Sequence, residues 1–114
     1  MQVMLLIHAD ENAWPLMPPA ARDAAMAAYG AYTAALREAG ALVNSNRLLP
    51  TAAAHTVRIV DGAPQVLDGP YAETREQLGG YYLIDVPDMA TALAWAARCP
   101  GAAHGVVEAR PVMA

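Results

Sequence analysis

One long alanine-rich segment sets the main constraint on the fold of this 114-residue chain. Helix-forming residues dominate from Ala20 to Ala39. Within this segment Tyr29, Tyr32 and Leu36 recur at intervals of three and four residues, which places them on one helical face. Gly40 follows and can end the helix in the left-handed conformation that glycine adopts readily. We therefore expect a long helix that packs one face against a sheet.

Short β-prone runs lie on both sides of this helix. The apolar run from Val3 to His8 predicts a first strand that is buried on both faces or nearly so. Residues 41–49 predict an extended segment after the helix. Its polar patch, Asn44–Arg47, favours an edge strand, a bulge or a segment that lines a site.

The middle of the chain predicts a hairpin and a further strand. Asp61-Gly62 is a hairpin-turn signal between two short β-prone runs, Thr56–Val60 and Gln65–Leu67. Residues 71–78 predict a turn or a short helix. Gly79-Gly80 then ends it, and the residues from Tyr81 to Val86 predict the next strand. These last two tyrosines, Tyr81 and Tyr82, would point to opposite faces of the sheet.

A second helix and a last strand complete the predicted order. Asp88 can cap the helix, and residues 105–110 predict the strand. The predicted buried stripe of the helix consists of Met89, Leu93, Ala96 and Cys99. One α+β domain over residues 1–114 follows: a ferredoxin-like split-βαβ sandwich of the dimeric α+β barrel type. It has an antiparallel sheet, an extra β-hairpin and two helices on one face. The uncovered sheet face predicts a homodimer.

Composition narrows the classes of partner. The net charge is -4 and no basic patch is present, which disfavours nucleic acid and anionic lipid. No apolar run approaches the ~20 residues that a membrane span needs. A single cysteine and an N-terminus without signal-peptide features predict a cytoplasmic address. Hydrophobic residues make up 56% of the chain, with much alanine, which favours close helix-to-sheet packing.

Two residues are candidates for acid–base catalysis. Asp68 lies at a strand end before Gly69-Pro70, where a partly buried carboxylate could exchange protons. The alternative for Asp68 is a turn residue that accepts backbone N–H bonds. His8 ends the first strand and could supply an imidazole, or it could be satisfied by a backbone partner. His55 and His104 lie in loop-like sequence and are weaker candidates.

Four further residues are candidates for ligand binding. Arg75 could orient an anionic ligand over Asp68, and Arg47 could join it, although Arg75 is also consistent with a solvated face. Tyr71 and Tyr82 could line a pocket or a dimer contact. No His-x-x-x-His or Cys-x-x-Cys spacing indicates a metal, and nothing indicates a cofactor.

Two other features of the sequence have structural explanations. Gly79-Gly80 lacks the strand–glycine–helix context of a dinucleotide site, which favours a kink or a close backbone approach. Cys99 lies on the predicted buried stripe, which favours packing over nucleophilic chemistry.

The segment from Asp68-Gly69-Pro70-Tyr71 through Gly79-Gly80 to Val86 resembles the YCII-related (YciI-like) family, in its DGPF-domain branch. The resemblance extends to Met4–Ile7, Ala94–Arg98 and Val107–Val112. It implies a small bacterial protein with a ferredoxin-like fold that dimerises through its sheet. It also implies an association, in some members, with sigma-factor genes. Function in the family is mostly unassigned.

A His–Asp pair has been suggested as catalytic in the wider family, with its histidine on the first helix. Residues 20–39 contain no histidine, so only Asp68 carries over. Tyr71 stands where the branch has phenylalanine.

Two functional hypotheses follow. The first is a protein that binds or transforms a small molecule near the Asp68 loop, with acid–base chemistry. The alternative is a non-catalytic dimeric module linked to sigma-factor-type regulation. A third reading, cofactor-free oxygen chemistry, depends on fold analogy alone.

Overall fold

The computed structural model describes residues 1–114. Its elements, in chain order, are β1 (Gln2–Ala9), α1 (Pro19–Glu38), β2 (Leu42–Arg47), β3 (His55–Val60), β4 (Ala63–Asp68), β5 (Gln77–Asp85), α2 (Met89–Arg98), α3 (Gly101–His104) and β6 (Val106–Pro111). Four strands form one antiparallel sheet in the order β2-β5-β1-β6, and β3 pairs with β4 in a separate hairpin. This order confirms the predicted ferredoxin-like α+β fold.

Both long helices pack against the same face of the sheet. Tyr32 and Leu36 of α1 share one buried cluster with Ala92 and Ala96 of α2. The sheet contributes Val3, Leu5, Ile7, Tyr82 and Ile84 to that cluster. The helices therefore cover one face of the sheet and leave the opposite face without a partner in this chain.

Leu93, predicted to belong to the buried stripe of α2, is 56% exposed, so that prediction is wrong. The helix turns its small side chains, Ala92, Ala96 and Cys99, toward the sheet instead. An alanine side chain ends at Cβ, so the helix axis can approach the sheet closely. A leucine at the same position would hold the two layers apart.

Strand β1 is buried on one face only, which corrects the prediction of burial on both. Val3, Leu5 and Ile7 are buried, whereas the alternating residues are half-buried. Alternation along the strands gives these residues neighbours on the face without helices. This open sheet face comprises Met4, Leu6 and His8 of β1, Asn44 and Asn46 of β2, Tyr81 and Leu83 of β5, and Val106, Glu108 and Arg110 of β6.

Of the two alternatives predicted for residues 71–78, the short helix is absent: residues 71–76 contain bends and no helix. β5 begins at Gln77 rather than at Tyr81, which corrects the predicted start of that strand. The glycine pair therefore lies inside the strand. Because Ile7 pairs with Gly80 and His8 pairs with Leu78, Gly79 is the extra residue of a bulge.

Gly80 itself allows a close approach of two backbones. A Cβ atom placed there would lie 2.9 Å from the Asn46 carbonyl oxygen of β2. This confirms the prediction of a kink and close approach at the glycine pair. The polar strand β2 lies at the sheet edge, and its register shifts between Leu42 and Asn44, which confirms the predicted edge strand and bulge.

No helix in the structure combines the length and the apolar character needed to cross a bilayer.

The N-terminus of α2 leads to a prediction about pH. The Asp88 carboxylate accepts hydrogen bonds from the Thr91 hydroxyl at 2.7 Å and the Thr91 backbone N–H at 2.8 Å. These two bonds, the side-chain one first, lower the pKa of Asp88. A lowered folded-state pKa means that the stabilisation is complete above the ordinary aspartate pKa of about 4. It is then lost as pH falls through the folded-state value.

We therefore expect the thermal midpoint of Asp88→Asn to depend less on pH below pH 4 than that of the wild type. Asparagine keeps the capping oxygen but carries no charge to titrate. Thermal unfolding followed by circular dichroism between pH 2.5 and 6 tests this. Asp23→Asn, an exposed change on α1, is the control and should keep the wild-type profile. Parallel profiles for the wild type and Asp88→Asn would contradict the prediction.

Candidate functional site

A pocket of about 450 Å³ opens at the end of the sheet where β5 begins. Four chain segments line it, contributing His8, Leu48, Leu49, Thr51, Ala54, Pro70, Tyr71, Ala72, Thr74, Glu76, Gln77 and Leu78. His8 and Leu78 belong to the end of the β1–β5 pair. The pocket therefore adjoins the open sheet face.

Hydrogen bonds between distant segments hold the pocket walls together. The carboxylate of Glu11 accepts the Thr51 backbone N–H at 3.0 Å and also accepts the Thr51 hydroxyl. The backbone N–H of Glu11 donates to Gln77 Oε1 at 3.0 Å, and Gln77 Nε2 donates to the Thr74 carbonyl at 2.6 Å. The loops at residues 48–54 and 70–76 are thus tied to the strand ends.

Asp68 forms a pair with His55 at the base of the β3–β4 hairpin. The two residues are cross-strand partners, and Nδ1 of His55 lies 3.1 Å from Oδ1 of Asp68. Both side chains are exposed, at 64% and 95%. A carboxylate on Nδ1 orients the ring and leaves Nε2 free to accept or donate a proton. This arrangement suits acid–base chemistry.

Backbone contacts fix the corner that carries this pair. Gly69 has a φ of 104°, a conformation that glycine adopts readily. Its N–H donates to the Ala54 carbonyl at 2.7 Å, and its own carbonyl accepts the Thr56 hydroxyl at 2.8 Å. Ala54 and Pro70, on either side of the pair, both line the pocket. The pair therefore stands beside the pocket rather than within its lining.

His8 and Asp68, the two residues predicted to act in catalysis, do not form a pair in the structure. His8 lines the pocket from β1, whereas Asp68 lies outside the lining and pairs with the other histidine, His55. The sequence contained the signal that identifies His55. A two-residue turn at Asp61-Gly62 pairs Val60 with Ala63, and counting backwards brings residue 55 opposite residue 68.

The predicted ligand-binding residues divide between two faces. Tyr71 lines the pocket and is 80% exposed, and Arg75 is an exposed residue of the adjoining loop. Arg47 lies on the helix side, where its guanidinium stands 4.9 Å from the Trp14 ring centre. Tyr82 also lies on the helix side and is buried.

A tyrosine cluster occupies the helix side. The Tyr82 hydroxyl is 2.8 Å from the Thr33 hydroxyl, and the Tyr32 hydroxyl donates to the Trp95 carbonyl at 2.7 Å. Burial raises the pKa of Tyr82 and raises that of Tyr29 to about 12. Both rings act here as packing groups, and the Tyr82 hydroxyl has a hydrogen-bond partner in Thr33.

Cys99 belongs to the same buried region. Its side chain is 2% exposed, and burial raises the pKa of its thiol. A buried thiol with a raised pKa is a poor nucleophile. The prediction that Cys99 serves packing is confirmed.

On the open sheet face, Tyr81 organises a small polar cluster. Its hydroxyl oxygen accepts hydrogen bonds from the side-chain amides of Asn44 at 3.1 Å and Asn46 at 2.8 Å. The alternation of Tyr81 and Tyr82 follows the prediction, since only Tyr82 is buried in the core. On the two central strands, this face also carries the apolar residues Met4, Leu6 and Leu83 together with the polar His8.

Comparison with known proteins identifies the family of this chain. The profile of the YCII-related domain matches residues 1–114. An uncharacterized protein of Rhizobium meliloti (strain 1021) is 47% identical over 77 residues, which is 66% of this chain. The chain spans 62% of the length of that curated relative. With a family profile that covers its whole length, this chain belongs to the YCII-related family.

Proposed function

We propose that this YCII-related protein binds a small organic molecule in the pocket beside the Asp68 corner and transfers protons to or from it. The observation that carries the proposal is the His55–Asp68 pair, whose 3.1 Å contact leaves Nε2 free. The pocket walls combine apolar groups with hydroxyl, amide and imidazole groups, as ligand sites commonly do. The Asp68-Gly69-Pro70-Tyr71 motif supports assignment to the DGPF branch.

Roles for the individual residues follow from their places. His55 is the proposed acid or base, and Asp68 orients its ring. His8 and Tyr71, which both line the pocket, contact the ligand, and Arg75 is available to an anionic substituent that extends beyond the rim. Arg47 and Tyr82 support the helix side of the sheet in this proposal, because their contacts are with Trp14 and Thr33.

We also propose that the protein is a homodimer that associates through its open sheet face. Met4, Leu6 and Leu83 on that face are only half-covered within one chain. Apolar area of this kind favours association. Dimerisation would place the pocket at a boundary between subunits, because His8 belongs both to the open sheet face and to the pocket lining.

A proton-exchange experiment tests the enzymatic proposal. Small carbonyl compounds and hydroxylated aromatic fragments are screened for binding by ligand-observed NMR. Those that bind are then followed for exchange of acidic C–H protons in D₂O. We expect His55→Gln to slow exchange by roughly 10²-fold or more, because general acid–base catalysis contributes about that much. Asp68→Asn should also slow it, and both variants should keep binding.

Matched variants separate binding from chemistry. Tyr71→Ala should weaken binding, whereas Arg58→Gln, on the same hairpin, should change neither quantity. Exchange that persists unchanged in His55→Gln would refute the assigned chemistry. If no compound binds at millimolar concentration, the alternative of a non-catalytic interaction module is favoured instead.

A further inference from the structure

The isolated chain exposes more surface than its mass requires. Its accessible area is 7696 Å², whereas a folded monomeric protein of 12.0 kDa exposes about 6,000 Å². The radius of gyration is 16.0 Å, against about 13 Å for a compact domain of this length. The excess of about 1,700 Å² per chain is the amount that a large homodimer interface covers on each subunit.

The β3–β4 hairpin is the part of the chain that accounts for this extended shape. It forms its own two-stranded sheet, and all of its strand residues except Thr56 are exposed. The side-chain hydrogen bonds of the hairpin, from His55 and Thr56, stay at its own base. A lone two-stranded hairpin is marginally stable in water, so this one needs a surface to rest on.

One face of the hairpin is apolar from the turn to the pair Val57–Val66. Val57 pairs with Val66 and Ile59 pairs with Pro64, and cross-strand partners lie on the same face. Val57, Ile59 and Val66 are 60%, 63% and 60% exposed. His55 and Asp68 continue this face at the base of the hairpin, by the same register. The opposite face carries the polar pair Arg58 and Gln65 at its centre, between the pairs Thr56–Leu67 and Val60–Ala63.

We propose that the hairpin is a dimerisation arm that lays the stripe of Val57, Ile59, Pro64 and Val66 on a second copy of this chain. The inference builds on the homodimer proposed above. A second copy is the occupant because a two-fold interface lets each arm cover the other subunit, and the excess area of one chain falls within the range that large homodimer interfaces bury on each subunit. The stripe carries no charge, which is typical of a homodimer interface core.

The arm also completes the site. Since His55 and Asp68 lie on the same face as the stripe, docking of the stripe encloses the pair at the subunit boundary. The exposure of the pair in one chain, 64% and 95%, then falls on assembly. Enclosure strengthens the contact between imidazole and carboxylate. The acid–base pair, which forms within one chain, is therefore enclosed only in the dimer.

Sedimentation equilibrium on two hairpin variants tests the arm. Val57→Thr with Val66→Thr keeps the β-branched shape and makes the stripe polar, whereas Arg58→Gln changes the opposite face. We expect the wild type to form a dimer. The dissociation constant of the valine variant should be at least about tenfold higher, because the burial of one valine contributes about that factor to affinity. Arg58→Gln should keep the wild-type Kd. Hairpin amides should resist hydrogen exchange in the wild-type dimer.

The outcomes distinguish the proposal of a dimerisation arm from the proposal of a homodimer. A wild-type dimer with an unchanged Kd in the valine variant overturns the arm and leaves the sheet-face dimer standing. A chain that stays monomeric up to its solubility limit overturns both. Equal weakening by Arg58→Gln overturns the assignment of the stripe. Because the hairpin lies outside the core cluster, circular dichroism of the valine variant should match that of the wild type.

Discussion

Replacing Leu36 with alanine is expected to lower the free energy of unfolding by about 2–5 kcal/mol. Leu36 is fully buried between α1 and the sheet. Truncation removes apolar contacts and leaves a cavity that the rigid sheet beneath it can close only in part. Urea unfolding at a fixed protomer concentration measures the change.

Leu93→Ala is the matched control for this prediction. The chemical change is identical, but Leu93 on α2 is 56% exposed. The cost should stay within about 1 kcal/mol, since surface substitutions rarely cost more. Equal losses for the two variants would mean that α2 presents Leu93 to the core, contrary to the structure.

Replacing Gly105 with alanine is the second change with a large expected effect. A Cβ atom at this position would collide with the His8 carbonyl oxygen and lie 3.1 Å from Ala9 Cα. Both obstacles belong to the backbone of β1, so no flexible side chain can move aside. The strands must separate locally where His8 pairs with Val106. We expect a loss of about 1–3 kcal/mol in the free energy of unfolding.

Gly30→Ala serves as the opposite case. Gly30 lies inside α1, and nothing stands within 4 Å of a Cβ atom placed there. Alanine forms helix better than glycine, so this variant should be more stable by about 0.5–1 kcal/mol. Thermal and urea unfolding of both variants give the comparison. A neutral or stabilising Gly105→Ala would show that β1 and the start of β6 are farther apart than described.

Local signals predicted much of the fold because their physical causes are local. Gly40 has a φ of 71° at the end of α1, and Asp61 and Gly62 have φ values of 51° and 78° at the hairpin turn. Asp88 caps α2 as expected. Each of these depends on the conformational preference or hydrogen bonding of a few neighbouring residues.

The start of β5 was missed because its cause lies elsewhere in the chain. Residues 77–80 contain two glycines and little β propensity. Their extended conformation is set by pairing with β1 on one side and β2 on the other. Tertiary pairing overrides such weak local preference.

The candidate site also combines features that local sequence predicts with features that depend on distant segments. Asp68 stood out by its turn motif, and Tyr71 by its place in that motif. The identity of the residue that pairs with Asp68 depended on the hairpin register. The local sequence indicates that register only when the length of the turn is taken into account. The separation of Tyr82 and Arg47 from the pocket depended on which sheet face receives the helices, and β alternation alone leaves that choice open.

Local preference and motif were enough to predict the order of the strands and the two long helices, the end of α1, the hairpin turn and the family. Three features required the packed chain: the contact of His55 with Asp68, the small residues of α2 facing the sheet, and the hairpin standing away from the core. Those outcomes depend on distances between segments remote in the chain. Such distances are set by packing the whole core at once.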